Sequence, residues 1–265
     1  MKSGGWSAPR YEPARDRAWH LSMLVADGAA AWCAHDAANG DPVAMRWSEG
    51  LSALDADDLP AHPRSASFVT LPEWSALVPE TALEPGSETD HLRLVHGGLP
   101  TGAMRSEPVE ALGAVCLYLH DDLAERAVLD RFPSARPVPM QSLMARGALA
   151  RASDAPVLLL HRGHDRLDAA LADKGRILLS NTYPARSSQD CLYYALLAAD
   201  GTGAPVSELR TFYSGQSLTA HEQDLLKRYF HDAAPAIAPW AGHQAPPGNA
   251  PHEWLALLEQ FACVS

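Results

Sequence analysis

The alternation of apolar and polar positions opens with three short strand-like runs. Leu21 to Ala26 is apolar, Asp27-Gly28 interrupts, and Ala30 to His35 is apolar again. Beyond Asn39-Gly40, Val43, Met45 and Trp47 alternate with Ala44 and Arg46. Asn-Gly between apolar runs is a hairpin signal, so the spacing predicts a three-stranded antiparallel meander. A second meander is predicted from Val157 to Leu160, a turn near Gly163, an alternating run through Leu167, Ala169 and Leu171, a turn at Lys174-Gly175, and a strand from Ile177 to Tyr183. Gly28 and Gly40 are as far apart as Gly163 and Gly175. Glycine supplies the positive φ of tight turns, so matched glycines point to matched turns.

Helical periodicity follows each meander. In the second half Ser187 and Asp190 form an N-terminal capping pattern ahead of Leu192, Tyr193, Leu196 and Leu197. A strand at Leu209 to Ser214 comes next, then a helix capped by Thr219 and Glu222, then a short strand at Ala236 to Ala238. Beyond the proline-rich stretch Ala245 to Pro251, Trp254, Leu255, Leu258 and Phe261 mark a last helix over 252–262. The first half offers a strand at Ser67 to Leu71, a short helix at Glu73 to Val78, and a strand around Leu92 and Leu94. A strand at Gly113 to Leu119 and a helix from Asp121 to Phe132 follow, then a short strand at Arg136 to Val138 and a helix from Met140 to Arg151.

Both halves thus read βββαβαβα, with extra residues in the first between roughly 49 and 110. A meander continued by crossover helices gives a mixed sheet with helices on its faces. The expected fold is α/β, with two tandem RNase H-like subdomains in an actin-like arrangement. The expected divisions are a flexible lead-in (1–18), a first subdomain (19–153) and a second (154–265) that ends in the 252–262 helix.

Composition narrows the function. Hydrophobic residues make up 47% and charged residues 20%, which excludes a wholly disordered chain. Thirty-two acidic against 21 basic side chains leave a formal charge of −11, which disfavours nucleic acid as a partner. No apolar run is long enough to span a membrane, and the first residues lack the apolar core of a signal peptide. The four cysteines, Cys33, Cys116, Cys191 and Cys263, form no C-x-x-C pair and sit among apolar neighbours. They read as reduced core thiols of a cytoplasmic protein.

The longest specific match lies in the second half. Leu178-Leu179-Ser180-Asn181-Thr182-Tyr183, followed by Ser188-Gln189-Asp190-Cys191-Leu192-Tyr193-Tyr194-Ala195-Leu196, resembles the signature of an uncharacterised, Bacteroidota-type bacterial family, domain of unknown function 3822 (DUF3822). Phe212 to Gly215 and Leu226 to Phe230 resemble its next strand and helix. The resemblance implies an actin-like fold and transfers no catalytic residue.

Actin-like ATPases place an Asp two residues before the Gly of the first hairpin in each half, to hold hydrated Mg²⁺. Here those positions are Ala26 and His161. Asp27 is one residue off, and strand side chains alternate. The first hairpin, Gly28-Ala29-Ala30-Ala31, offers no hydroxyl, and the adenosine turn, Ser214-Gly215-Gln216-Ser217, has one glycine instead of two. If nucleotide binds, Asp27, Gly28, Gly163, Asp165 and Gly215 are the residues to hold it. The expectation is no catalytic residue, no metal and no cofactor, with ATP·Mg²⁺ disfavoured. The preferred function is a non-catalytic scaffold or adaptor that binds a protein partner or a second copy of itself; the alternative is an ATP-binding enzyme or kinase with degenerate motifs. His161-Arg162-Gly163-His164-Asp165 reads as an exposed polar hairpin, because two histidines in one turn do not supply the ligands of a metal. His120-Asp121-Asp122 reads as a helix cap, and Asn181 as a buried tie to the next loop or to Asp190.

Overall fold

The computed structural model describes residues 3–26, 28–201, 203, 205–237 and 251–264. The first half contains β1 (Gly4–Ser7), β2 (Trp19–Ala26), β3 (Ala29–Asp36), β4 (Pro42–Glu49), a 3-10 turn (Ser52–Asp55) and β5 (Ser65–Thr70). It continues with β6 (Glu73–Pro79), α1 (Glu88–His96), β7 (Met104–Val109), β8 (Ala114–His120), α2 (Asp122–Leu129), β9 (Arg136–Pro137) and α3 (Met140–Arg151). The second half contains β10 (Val157–Arg162), β11 (Arg166–Asp173), β12 (Arg176–Pro184), α4 (Ser188–Asp200), β13 (Arg210–Ser214), α5 (Ala220–Tyr229) and β14 (Asp232–Pro235). A 3-10 turn (Pro251–Trp254) then leads into α6 (Leu255–Leu258) and α7 (Gln260–Val264).

Two sheets share one topology. The first runs β1-β4-β3-β2-β5-β9 and the second β12-β11-β10-β13-β14. In each, the meander is antiparallel and the next two strands join in parallel, so β4-β3-β2-β5-β9 corresponds to β12-β11-β10-β13-β14. One of the two matched glycine pairs sits in matched turns: Gly40 (φ +79°) joins β3 to β4, and Gly175 (φ +76°) joins β11 to β12, whereas Gly28 (φ +73°) has a positive φ that Gly163 lacks.

Strand alternation sorts the core into layers. Leu21, Met23 and Val25 pack with Val128 and Phe132 on one face of the first sheet. Leu158 and Leu160 pack with Cys191, Ala195 and Leu226 on one face of the second. The remaining faces look inward at each other. Leu24, Ala31 and Val69 share one cluster with Leu143, Leu159, Ala170 and the whole run Trp254–Leu258. The halves interlock: α3 of the first packs on β10, β11 and β12, and α6 and α7 of the second pack on β2 and β5. Phe261 completes the exchange. Its ring lies 5.3 Å from His20 and 5.7 Å from His35, over Gly40, where an added Cβ would come within 2.7 Å of it.

Several expectations need correction. The described part of the lead-in, 3–18, is not free: β1 pairs with β4, and Tyr11 packs 5.5 Å from Trp19. Glu73 to Val78 is a strand, because β8 supplies a ladder along its whole length; six residues are too few for periodicity to separate helix from strand. Residues around Leu92 and Leu94 are helical. Leu92 is fully buried and Leu94 is 86% exposed, whereas strand alternation would put both on one face. Gly113 to Leu119 forms β8 as expected, but in a separate sheet, β6-β8-β7, inserted between β5 and α2. The first helix of the first half shrinks to the Ser52–Asp55 turn. The last strand is β14, earlier than Ala236, and residue 238 lies outside the described residues. The C-terminal helix is broken at Glu259 and packs on its own chain's first sheet. Both capping boxes form as read, Ser187 with Asp190 and Thr219 with Glu222. Asp121 caps α2 through Leu123 and Ala124. Asn181 makes a shorter tie than expected: its Oδ1 accepts from the Thr182 amide, at 2.9 Å.

Candidate functional site

The β2–β3 and β10–β11 hairpins face each other across a cavity of about 580 Å³. Its apolar wall is Leu24, Ala26, Ala29, Leu71 and Pro72; its polar wall is His161, the 162–166 turn, Gln216 and Ser217, with Glu49 at the end of β4. Alternation along β10 explains the division. Val157, Leu159 and His161 point inward, while Leu158, Leu160 and Arg162 point to the α4–α5 layer. The positions that hold Mg²⁺ carboxylates in actin-like ATPases are therefore both on the cavity, occupied by a methyl group and an imidazole.

Of the five residues singled out, four are placed. Gly28 (φ +73°) and Gly163 line the cavity. Asp165 is also on its rim, strongly exposed, with His164 at 3.8 Å. Gly215 lies beneath it, spent on structure: its N–H donates to His252 O at 3.0 Å, and a Cβ there would fall 2.3 Å from Arg162 O. Asp27 lies outside the described residues.

The 161–166 turn is an exposed hairpin only at its tip, His164 and Asp165. His161, Arg162 and Arg166 are all buried. The Arg162 guanidinium gathers the turn around itself. Its Nε donates to Glu222 at 3.1 Å, and one terminal nitrogen donates to the carbonyls of Gly163 (2.6 Å), His164 (2.8 Å) and Ala185 (2.9 Å). Arg166 forms a fork on Asp168, with Nε–O distances of 3.0 and 3.2 Å, and reaches Glu73 O at 3.0 Å. Each cation is thus neutralised by one buried carboxylate, which is the condition for burying it at all.

His161 is fixed by its neighbour. Ser214 has one hydroxyl proton, which it donates to Leu160 O at 2.9 Å, so the 3.0 Å contact to His161 must run from Nδ1–H to Ser214 Oγ. Nε2 then carries the lone pair. Burial pushes this imidazole down to about 4, outweighing the lift from Asp168, so the ring is neutral at pH 7.

A second polar cluster braces the wall. Glu73 Oε2 accepts from the Met140 amide at the start of α3 (2.7 Å) and from His120 Nε2 (3.2 Å). His120 also faces Glu125, which pairs with Arg105. Burial lowers the His120 pKa, but the two carboxylates raise it more. Hydrogen bonding to His120 and then to Arg105 holds Glu125 down at about 2, against the opposing effect of burial. Among the described residues no group of three or more His, Cys, Asp or Glu is placed to hold a metal ion.

The sequence reading missed Glu49, the neutralised arginines and the tautomer of His161. Extending the alternation of β10 two residues further would have placed His161 and Arg162 on opposite faces. Nothing in the sequence identifies Glu222 and Asp168 as their partners.

The architecture is that of the actin-like ATPase fold. A Bacteroides thetaiotaomicron protein with that fold and unknown function superposes with a TM-score of 0.72 at 13% identity, over 83% of this chain and 91% of that one. The PilM–PilN type IV pilus biogenesis complex aligns with a TM-score of 0.52 at 12% identity (96% and 98% covered). The ethanolamine utilization protein EutJ from Carboxydothermus hydrogenoformans aligns at 0.50 and 9% identity (92% and 89% covered). At these identities the likeness is one of fold. The chain belongs to the family described as "Protein of unknown function (DUF3822)", whose model matches residues 71–232. No curated protein matches the sequence. Among the described residues no helix is long and apolar enough to cross a membrane.

Proposed function

We propose that this chain is a non-catalytic, actin-like scaffold or adaptor that works in the cytoplasm by binding a protein partner. One observation carries the reading: the two inward positions that hold carboxylates in the ATPases are Ala26 and His161, and both buried arginines beside them are already neutralised. A hydrated Mg²⁺ needs oxygen ligands, and a triphosphate needs free donors or cations. The PilM–PilN complex is an instance of this fold engaged with a protein. The alternative, an ATP-binding enzyme or kinase, is favoured by the position of the cavity between the two hairpins.

Calorimetric and thermal titration with millimolar ATP·Mg²⁺ separates the two. A ligand present at 100 times its Kd stabilises a fold by about 2.7 kcal/mol. The scaffold reading expects no shift and no heat of binding. A saturable shift abolished by Asp27→Ala would sink it and establish the nucleotide-binding alternative.

A further inference from the structure

The cavity between the two hairpins has a chemistry of its own. His161 is 4% exposed, yet its Nε2 lone pair has no partner among the described residues, and its ring lines the cavity. The only nitrogen it offers is therefore an acceptor. Arg162 and Arg166 bring no free positive charge, since Glu222 and Asp168 neutralise them. Glu49 has no ion-pair partner among the described residues, and Asp165 has only the exposed His164 imidazole near it. The opposite wall, Leu24, Ala26, Leu71 and Pro72, is apolar.

An acceptor in a buried position, two carboxylates at the rim and an apolar wall reject phosphate and select its reverse. We infer that the cavity binds an alkylammonium group. One ammonium proton is donated to His161 Nε2, Glu49 and Asp165 supply the countercharge, and the alkyl stem lies along Leu24, Ala26, Leu71 and Pro72. The volume suits a small ligand. Two sources carry this chemistry: a free aliphatic amine, or the lysine side chain of a partner protein. The inference stands apart from the scaffold reading, since a scaffold does not require an occupied cleft.

The test is calorimetry on the full chain at pH 7.5 with three probes: butylammonium, a terminally blocked acetyl-Ala-Lys-Ala-amide pair (lysine free or N-acetylated on its side chain), and ATP·Mg²⁺. Saturable binding of butylammonium or of the free-lysine peptide, absent for the acetylated peptide, is the expected result. Butylammonium alone identifies a free amine as the source; tighter binding of the peptide identifies a partner's lysine. Glu49→Gln, at an exposed strand end, weakens binding by up to about fivefold, the range of an exposed ion pair. His161→Phe removes the acceptor and abolishes binding; Ala26→Leu fills the cavity from the opposite sheet and also abolishes it, which covers the case in which the first variant does not fold. No saturable heat from either amine up to about 10 mM, a concentration that would reveal even millimolar affinity, overturns the inference and leaves the scaffold reading intact. Binding of ATP·Mg²⁺ instead overturns both.

Discussion

The two hairpins that face each other across the cavity occupy equivalent places in two sheets of the same order, yet they are built from opposite materials. The β2–β3 turn is lined by Ala26 and Ala29, and Gly28 there has open space where a Cβ would go. The β10–β11 turn is folded around two buried guanidinium groups, and Gly215 beneath it touches the Arg162 backbone. The difference teaches that topology preserves where a turn sits and leaves its chemistry free. In the second hairpin buried charge shapes a loop. In the first, the described side chains at the turn, Ala26 and Ala29, are small and carry no charge.

The largest effect expected from breaking that contrast is at Asp168. Asp168→Ala strands the buried Arg166 charge and should cost about 3–5 kcal/mol in urea denaturation, whereas replacing both partners with apolar residues should recover most of it. If the double variant is no more stable than the single one, the pair is more than a neutralised charge.

Acid should act next. His20, at about 3, His35, at about 4, and His161, at about 4, are all pushed down, chiefly by burial. Their folded values lie below the unfolded value near 6.5, so the unfolded chain binds more protons. Their contribution is complete above pH 6.5 and is lost as pH falls toward 4, at a slope approaching about 1.4 kcal/mol per pH unit for each. His120, raised by its carboxylates, works the other way: its contribution is present below 6.5 and fades as pH rises through its folded value. Denaturation midpoints between pH 7 and 5 should fall, and His20→Asn with His35→Asn should flatten the slope. An unchanged slope in that pair would assign the acid sensitivity to other groups.

Two glycine substitutions sharpen the comparison at the smallest scale. Gly215→Ala meets both a φ of +112° and the Arg162 carbonyl, and should cost more than the ~1–2 kcal/mol of a left-handed residue alone. Gly28→Ala meets only that backbone penalty, about 1–2 kcal/mol, because nothing lies within 4 Å. Thermal melts of the two variants should therefore differ in that order; equal costs would mean that the second turn yields as easily as the first.

Much of the fold was legible because it is written in local pattern. The two meanders, both capping boxes, the Asp121 cap and the turn glycines all depend on residues within a few positions of one another. The family signature from Asn181 to Leu196 lies within the matched segment. The inserted sheet was misread where local pattern is silent: Trp74 to Val78 becomes a strand only because β8 lies beside it. The candidate site was legible in part: Gly28, Gly163 and Asp165 line the cavity, and Ala26 and His161 stand where carboxylates were expected.

What the sequence determined by itself, then, was the order of elements in the second half, the duplicated meander and the carboxylates missing from two positions. The tertiary structure decided the rest: that α3 and the C-terminal helices exchange sheets, that Arg162 and Arg166 are buried beside Glu222 and Asp168, and that His161 presents a lone pair to the cavity. The physical reason is range. Strand alternation and capping act over a few residues, whereas the charge that neutralises Arg162 is 60 residues away in sequence and the hydroxyl that orients His161 is 53 away. Such pairs exist only after two distant strands and a helix have packed, and burial then makes each partner indispensable to the other.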